Sequence, residues 1–124
     1  MKQVVALVLL GLAGAAGTLL RAGCTAVAVR LCGPAFPWGT LAVNVAGSFA
    51  FGAIYSSVRS RSLPTEFDSV LLVGLLGGFT TYSSFAFQSV EMAESGRGSA
   101  AAAYVAATTL LGLAAAWCGL RCFR

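Results

Sequence analysis

Histidine is absent from this 124-residue chain, and carboxylates are scarce: Glu66, Asp68, Glu91 and Glu94 are the only acidic side chains. All four fall near the ends of apolar segments, so the apolar interiors hold none. That removes most arrangements for general acid–base catalysis and for binding hard metals through carboxylates. It also removes the buried acid that a proton-driven cation pump places in the membrane. The composition points away from an enzyme. Charge of either sign is sparse, at 10% of residues against about 25% in a soluble domain. The net charge of +4 does not indicate nucleic acid, because the basic residues flank apolar segments as membrane loops require. Cysteine is present four times, as Cys24, Cys32, Cys118 and Cys122, but never as CxxC. These read as small apolar residues rather than as a disulfide framework or a zinc site.

What the chain does have is apolar length: 58% of its residues are hydrophobic and its mean hydropathy is +0.86. A bilayer core needs about 20 apolar residues per helix. The sequence predicts a single all-α membrane domain over residues 1–124 with four transmembrane helices, at about 3–29, 38–58, 67–92 and 99–120. The linkers "RLCGPAFP", "RSRSLPTE" and "ESGRG" are short and carry Pro or Gly with at least one Arg. Thr65 and Asp68 resemble a capping box at the start of the third helix. Lys2, the apolar run and "AGA" also resemble a signal peptide, but cleavage there would leave three spans. It would also discard a stripe of Gly11, Gly14 and Gly17, a nearly bare face suited to close helix contact. The last helix has a small face of its own in Ala100 to Ala103, Ala106 and Ala107. Four such helices leave little wall around a central pore, which hints at an oligomer with function at or beside its interface.

Polar residues inside the spans carry the functional signal. Thr40, Asn44 and Ser48 lie at i, i+4, i+8 and form one stripe on the second helix. An unpaired amide in hydrocarbon costs several kcal/mol, roughly 2–7. Asn44 therefore either bonds a neighbouring helix or donates to a permeant species. Arg21 is an interfacial anchor if the first helix stops near Leu20, and faces a water-filled vestibule if it continues. Tyr104 and Thr108 sit one turn apart on the last helix, where core packing is the plainer reading. The stretch "GGFTTYSSF" (77–85) is the most telling. Gly74, Gly77 and Gly78 weaken the third helix where Thr80 and Thr81 offer competing hydrogen bonds. Irregular backbone at membrane depth is tolerated only inside protein or beside water. Unwound carbonyls there would point at a cation, and side-chain bulk at Gly77 would crowd the break. Beyond it, Tyr82 and Phe85 share a face, and aromatic ring edges carry partial positive charge. Ring edges, hydroxyls and an amide without an acid suit a small anion.

Three motifs, "GAAGTLLR" (14–21), "WGTLAVNVAGSFAFG" (38–52) and "GGFTTYSSF" (77–85), resemble in order those of the CrcB/Fluc family of fluoride channels, and the resemblance spans essentially the whole chain. It implies an antiparallel, dual-topology homodimer in a bacterial plasma membrane, passing fluoride through two pores at the interface. It implies a pore lining of Asn44, Tyr82 and Phe85, with Ser83, Ser84, Thr40, Ser48, Tyr104 and Thr108, and Arg21 in a vestibule. It also implies one structural Na⁺ held by the Gly77 and Thr80 backbone carbonyls of both subunits. Tyr82 stands where the family usually has Phe, Gln88 where many members have Glu, and Gly112 where a polar residue would extend the last helix's track. Lys and Arg are unevenly divided. Lys2, Arg59, Arg61, Arg121 and Arg124 fall on one side, Arg30 and Arg97 on the other, and Arg21 on neither clearly. That favours cytoplasmic termini and leaves an oppositely oriented homologue as an alternative partner. A small multidrug exporter would need a membrane carboxylate; an assembly subunit would use the polar residues only as glue.

Overall fold

The computed structural model describes residues 2–61 and 68–123. Helix α1 runs Lys2–Cys32 and passes through Arg21 without interruption. Its 31 residues extend about 46 Å, well beyond a hydrocarbon core of about 30 Å. Gly33 ends it at φ +78°, with its N–H bonded to the Val29 carbonyl at 2.9 Å. Only a residue without Cβ takes that left-handed conformation cheaply. Helix α2 spans Trp38–Arg61 directly after Pro37. Helix α3 begins as a π-helix over Ser69–Leu76 and tightens into one α-turn at Gly77–Phe79. Helix α4 covers Tyr82–Glu94 and α5 covers Gly98–Cys122.

Four stretches are long and apolar enough to cross a membrane, with α3 and α4 together forming the third. The chain is thus an all-helical, multi-pass membrane protein. The expected first helix is extended by three residues at its C-terminal end and the second by three. Thr65 lies outside the described residues, and the Asp68 side chain makes no capping hydrogen bond.

Small residues set the packing. A Cβ added at Gly17 would overlap the Leu75 carbonyl, one at Gly78 the Gly14 carbonyl, and one at Gly74 would come within 2.9 Å of the Leu10 carbonyl. So α1 and α3 touch backbone to backbone, the contact that lipid-embedded helices use in place of a hydrophobic driving force. Gly11 has open space, so only Gly14 and Gly17 of the expected stripe serve this contact. The α2–α5 seam rests on Gly52 against the Ala116 carbonyl and Gly119 against the Phe49 carbonyl. Of the alanine face expected on the last helix, Ala101 is buried, while Ala102, Ala103 and Ala106 are exposed. Val43 and Tyr104 are fully buried. Met92 and Ala101 pack around Tyr104 with Phe36, Leu41 and Phe85. Large apolar side chains such as Leu7, Leu19, Leu31, Phe87 and Leu113 point outward.

Candidate functional site

The third span leaves the helical conformation at two residues. Thr80 (φ −86°, ψ 160°) and Thr81 (φ −151°, ψ 114°) are extended. Gly77 and Gly78 remain helical, so the glycines are not themselves the break, contrary to the sequence expectation. Their role is close approach to α1. A Cβ on Gly77 would meet only the Leu72 carbonyl, at 3.9 Å, so the crowding expected at Gly77 falls instead on Gly78.

Helix α2 cradles the break. Asn44 Nδ2 donates to the Thr81 carbonyl at 3.1 Å, and the Thr81 N–H donates to Asn44 Oδ1 at 2.8 Å. One side-chain amide thereby replaces a strand-like backbone partner and satisfies two groups that would otherwise be stranded. Three residues on, Gly47 leaves space that the Thr80 methyl occupies. The Ser48 hydroxyl donates to the Asn44 carbonyl at 2.7 Å. The Thr81 hydroxyl accepts from the Ser84 N–H at 3.2 Å, capping α4, and donates to the Ser84 hydroxyl at 3.1 Å. The Thr80 hydroxyl turns back to the Leu76 carbonyl at 2.9 Å.

These bonds redirect two donors. In an unbroken helix the Thr81 N–H would bond the Gly77 carbonyl and the Ser84 N–H the Thr80 carbonyl. Here the first goes to Asn44 and the second to the Thr81 hydroxyl. The carbonyls deprived of their helical donors in this way are those of Gly77 and Thr80.

Two open-sided cavities meet at Thr81. The first, about 750 Å³, is lined by Arg21 and Arg30 of α1 with Thr18, Thr25, Thr40, Thr81, Ser84 and Gln88. The continuation of α1 past Leu20 thus puts Arg21 on the wall of the first cavity. The second, about 450 Å³, is lined by Asn44, Ser48, Phe51, Thr80, Thr81, Tyr82, Phe85 and Thr108. Neither is lined by Asp or Glu. The N-terminus of α4 lies at the meeting point and brings the partial positive charge of a helix start.

Most of the expected pore residues gather here; Tyr104 and Ser83 do not. Tyr104 is fully buried and its hydroxyl donates to Gln88 Oε1 at 3.0 Å. Its ring packs 5.3 Å from Phe85 and 5.4 Å from Phe36, so within one chain it is core. Ser83 is exposed and lines neither cavity, its hydroxyl lying 3.3 Å from that of Thr81. Thr108 lines the second cavity, yet its hydroxyl oxygen is buried and without a partner. The Tyr82 ring is exposed and sits 5.8 Å from Phe85. Sequence reasoning named Thr81 at the break but not among the site residues, and it passed over Gly47. A hydroxyl residue flanked by a helix end and a helix start was the available signal for Thr81.

The family described as CrcB-like protein, Camphor Resistance (CrcB), matches residues 8–120. Similar curated proteins carry the name fluoride-specific ion channel FluC. One from Nitratidesulfovibrio vulgaris is 45% identical, over 92% of this chain and 93% of its own. One from Rhizobium etli is 43% identical, over 94% of each. One from Anaeromyxobacter dehalogenans is 47% identical, over 90% of this chain and 89% of its own.

Proposed function

The chain belongs to the CrcB-like family, and from that premise we propose that it is a passive, fluoride-specific channel of the bacterial plasma membrane that exports cytoplasmic fluoride. It is a channel and not an enzyme. The observation that carries the reading is the pair of acid-free cavities meeting at the start of α4. Arginine, hydroxyl and amide donors and a helix N-terminus all favour an anion at that point, and no carboxylate opposes it. HF crosses lipid uncharged and ionises inside, so a negative-inside potential suffices to drive the anion out. Fluoride efflux from liposomes containing the purified protein, without a proton gradient, is the expected result. Equal fluoride and chloride flux would defeat the proposal.

The pore itself is assigned to Asn44, Tyr82, Phe85, Thr40, Ser48, Ser84 and Thr108, completed by Ser83 and Tyr104, with Arg21 in the vestibule. An amide NH₂ carries two donors. Asn44 gives one to Thr81, which leaves one for a passing anion. Assembly is proposed as an antiparallel homodimer, since one chain leaves both cavities open-sided. A structural Na⁺ fits the donor set: the Gly77 and Thr80 carbonyls have lost their helical donors, and carbonyl oxygens are ligands for a hard cation. When bound, the ion would neutralise converging carbonyl dipoles from two subunits.

A further inference from the structure

We propose that Arg30 is the outer of two cations that draw anions into the vestibule, with Arg21 the inner one. The inference rests on the channel reading above and adds a residue to it. Arg30 occupies the last turn of α1, where a basic residue has an ordinary use in facing the helix C-terminus. A second observation sets it apart: Arg30 lines the same cavity as Arg21 and Thr81. Nine residues of helix separate the two arginines, about 14 Å along the axis. The intervening cavity wall is Thr25, Ala26 and Val29, with Thr40, Ser84 and Gln88 opposite. An anion arriving from water therefore meets a cation at the rim and another before the break, with no carboxylate along that wall. A side pocket of about 190 Å³ shares Thr25, Val29, Thr40 and Gln88 with the vestibule. It is lined by an acid, Glu91, together with Arg97, whose guanidinium donates to the Ala35 carbonyl. With Arg97 tied to the loop, Arg30 is the exposed cation on the vestibule's own wall.

A rim charge acts through space, so its effect must fade with salt. The Debye length falls from about 30 Å at 0.01 M to about 3 Å at 1 M. The test is fluoride efflux from vesicles of zwitterionic lipid, at low ionic strength and again with 1 M of an inert, impermeant salt. Arg30→Gln should lower the initial rate roughly two- to threefold at low salt and match wild type at high salt. Arg30→Lys should retain the wild-type rate at both. Arg59→Gln removes a cation that lines neither cavity, one stacked over Tyr55, and should change nothing. An unchanged rate for Arg30→Gln at low salt would overturn the assignment. So would a loss equal at both salts, which marks a structural role, or an equal loss in Arg59→Gln, which marks general surface charge. Wild-type vesicles that pass no fluoride would instead overturn the channel reading.

Discussion

Asn44 is bound to Thr81 through both ends of its amide, so one side chain holds the broken backbone and faces the cavity. Asn44→Asp separates these duties. The carboxylate still accepts from the Thr81 N–H, but the Thr81 carbonyl loses its donor and a negative charge enters the anion path. The loss of one hydrogen bond costs about 0.5–1.5 kcal/mol of stability, more if the carbonyl stays unpaired. The expected outcome is a folded protein, eluting as wild type does, with fluoride flux reduced at least about tenfold. Normal flux in a folded Asn44→Asp protein would remove Asn44 from the pore. Thr80 offers the converse test. Its hydroxyl bonds the Leu76 carbonyl within its own helix, and its carbonyl is the proposed ligand. Thr80→Ser keeps both, so flux and thermal stability should stay near wild type; a large change in either would show that the Thr80 methyl on Gly47 matters more than its oxygens.

Helices of this chain approach each other through absent side chains, and the approach is specific to position. At Gly17 and Gly78 an added Cβ meets backbone carbonyls that cannot swing aside as a side chain can. At Gly11 it meets nothing. Gly17→Ala and Gly78→Ala should each cost about 1–3 kcal/mol through overpacking. Gly11→Ala should be neutral or stabilising by roughly 0.5–1 kcal/mol, because glycine is the poorer helix former. Thermal unfolding in detergent reads all three. A similar loss at Gly11 would mean that the α1–α3 contact does not depend on this register. The π-wound segment Ser69–Leu76 belongs to the same seam: Gly74, within it, lies on the Leu10 carbonyl of α1. Wider winding is rare and commonly sits at functional sites, and here one α-turn, Gly77–Phe79, separates it from the break.

Taken whole, one chain leaves two grooves open and a large apolar surface outside them. The proposed antiparallel dimer needs chains inserted in both directions, yet Lys and Arg divide five to two or three between the ends. Loops near the spans govern orientation, so this imbalance should show. A C-terminal topology reporter is expected to give signal on both sides of the membrane with a cytoplasmic excess. Removing Arg59 and Arg121 together as glutamine brings the count to three against two or three and should move the reporter toward equality. A reporter confined to the cytoplasm, with flux appearing only when an oppositely oriented relative is co-expressed, would replace the homodimer with a mixed pair.

The four spans, the missing acids and the polar stripe of α2 were legible in the sequence because lipid imposes them. A membrane helix needs length and apolarity, and any polar residue left inside must have a reason. The neighbourhood of the break was legible too, since hydroxyl and glycine residues cluster there against the composition. What the sequence left open was which residue does what. Glycine looked like the hinge because it tolerates odd backbone, but at Gly77 and Gly78 the chain stays helical and the extended residues are Thr80 and Thr81. That outcome depends on a partner 37 positions away: Asn44 pairs with Thr81, and Gly47 receives the Thr80 methyl. In the structure α1 passes through Arg21, which lines the first cavity, and the Tyr104 hydroxyl bonds Gln88 within the chain; neither contact can be read from the sequence. Composition and periodicity decide what a lipid solvent permits. Only the crossing of helices decides the Asn44–Thr81 and Tyr104–Gln88 bonds, because each joins groups distant in sequence.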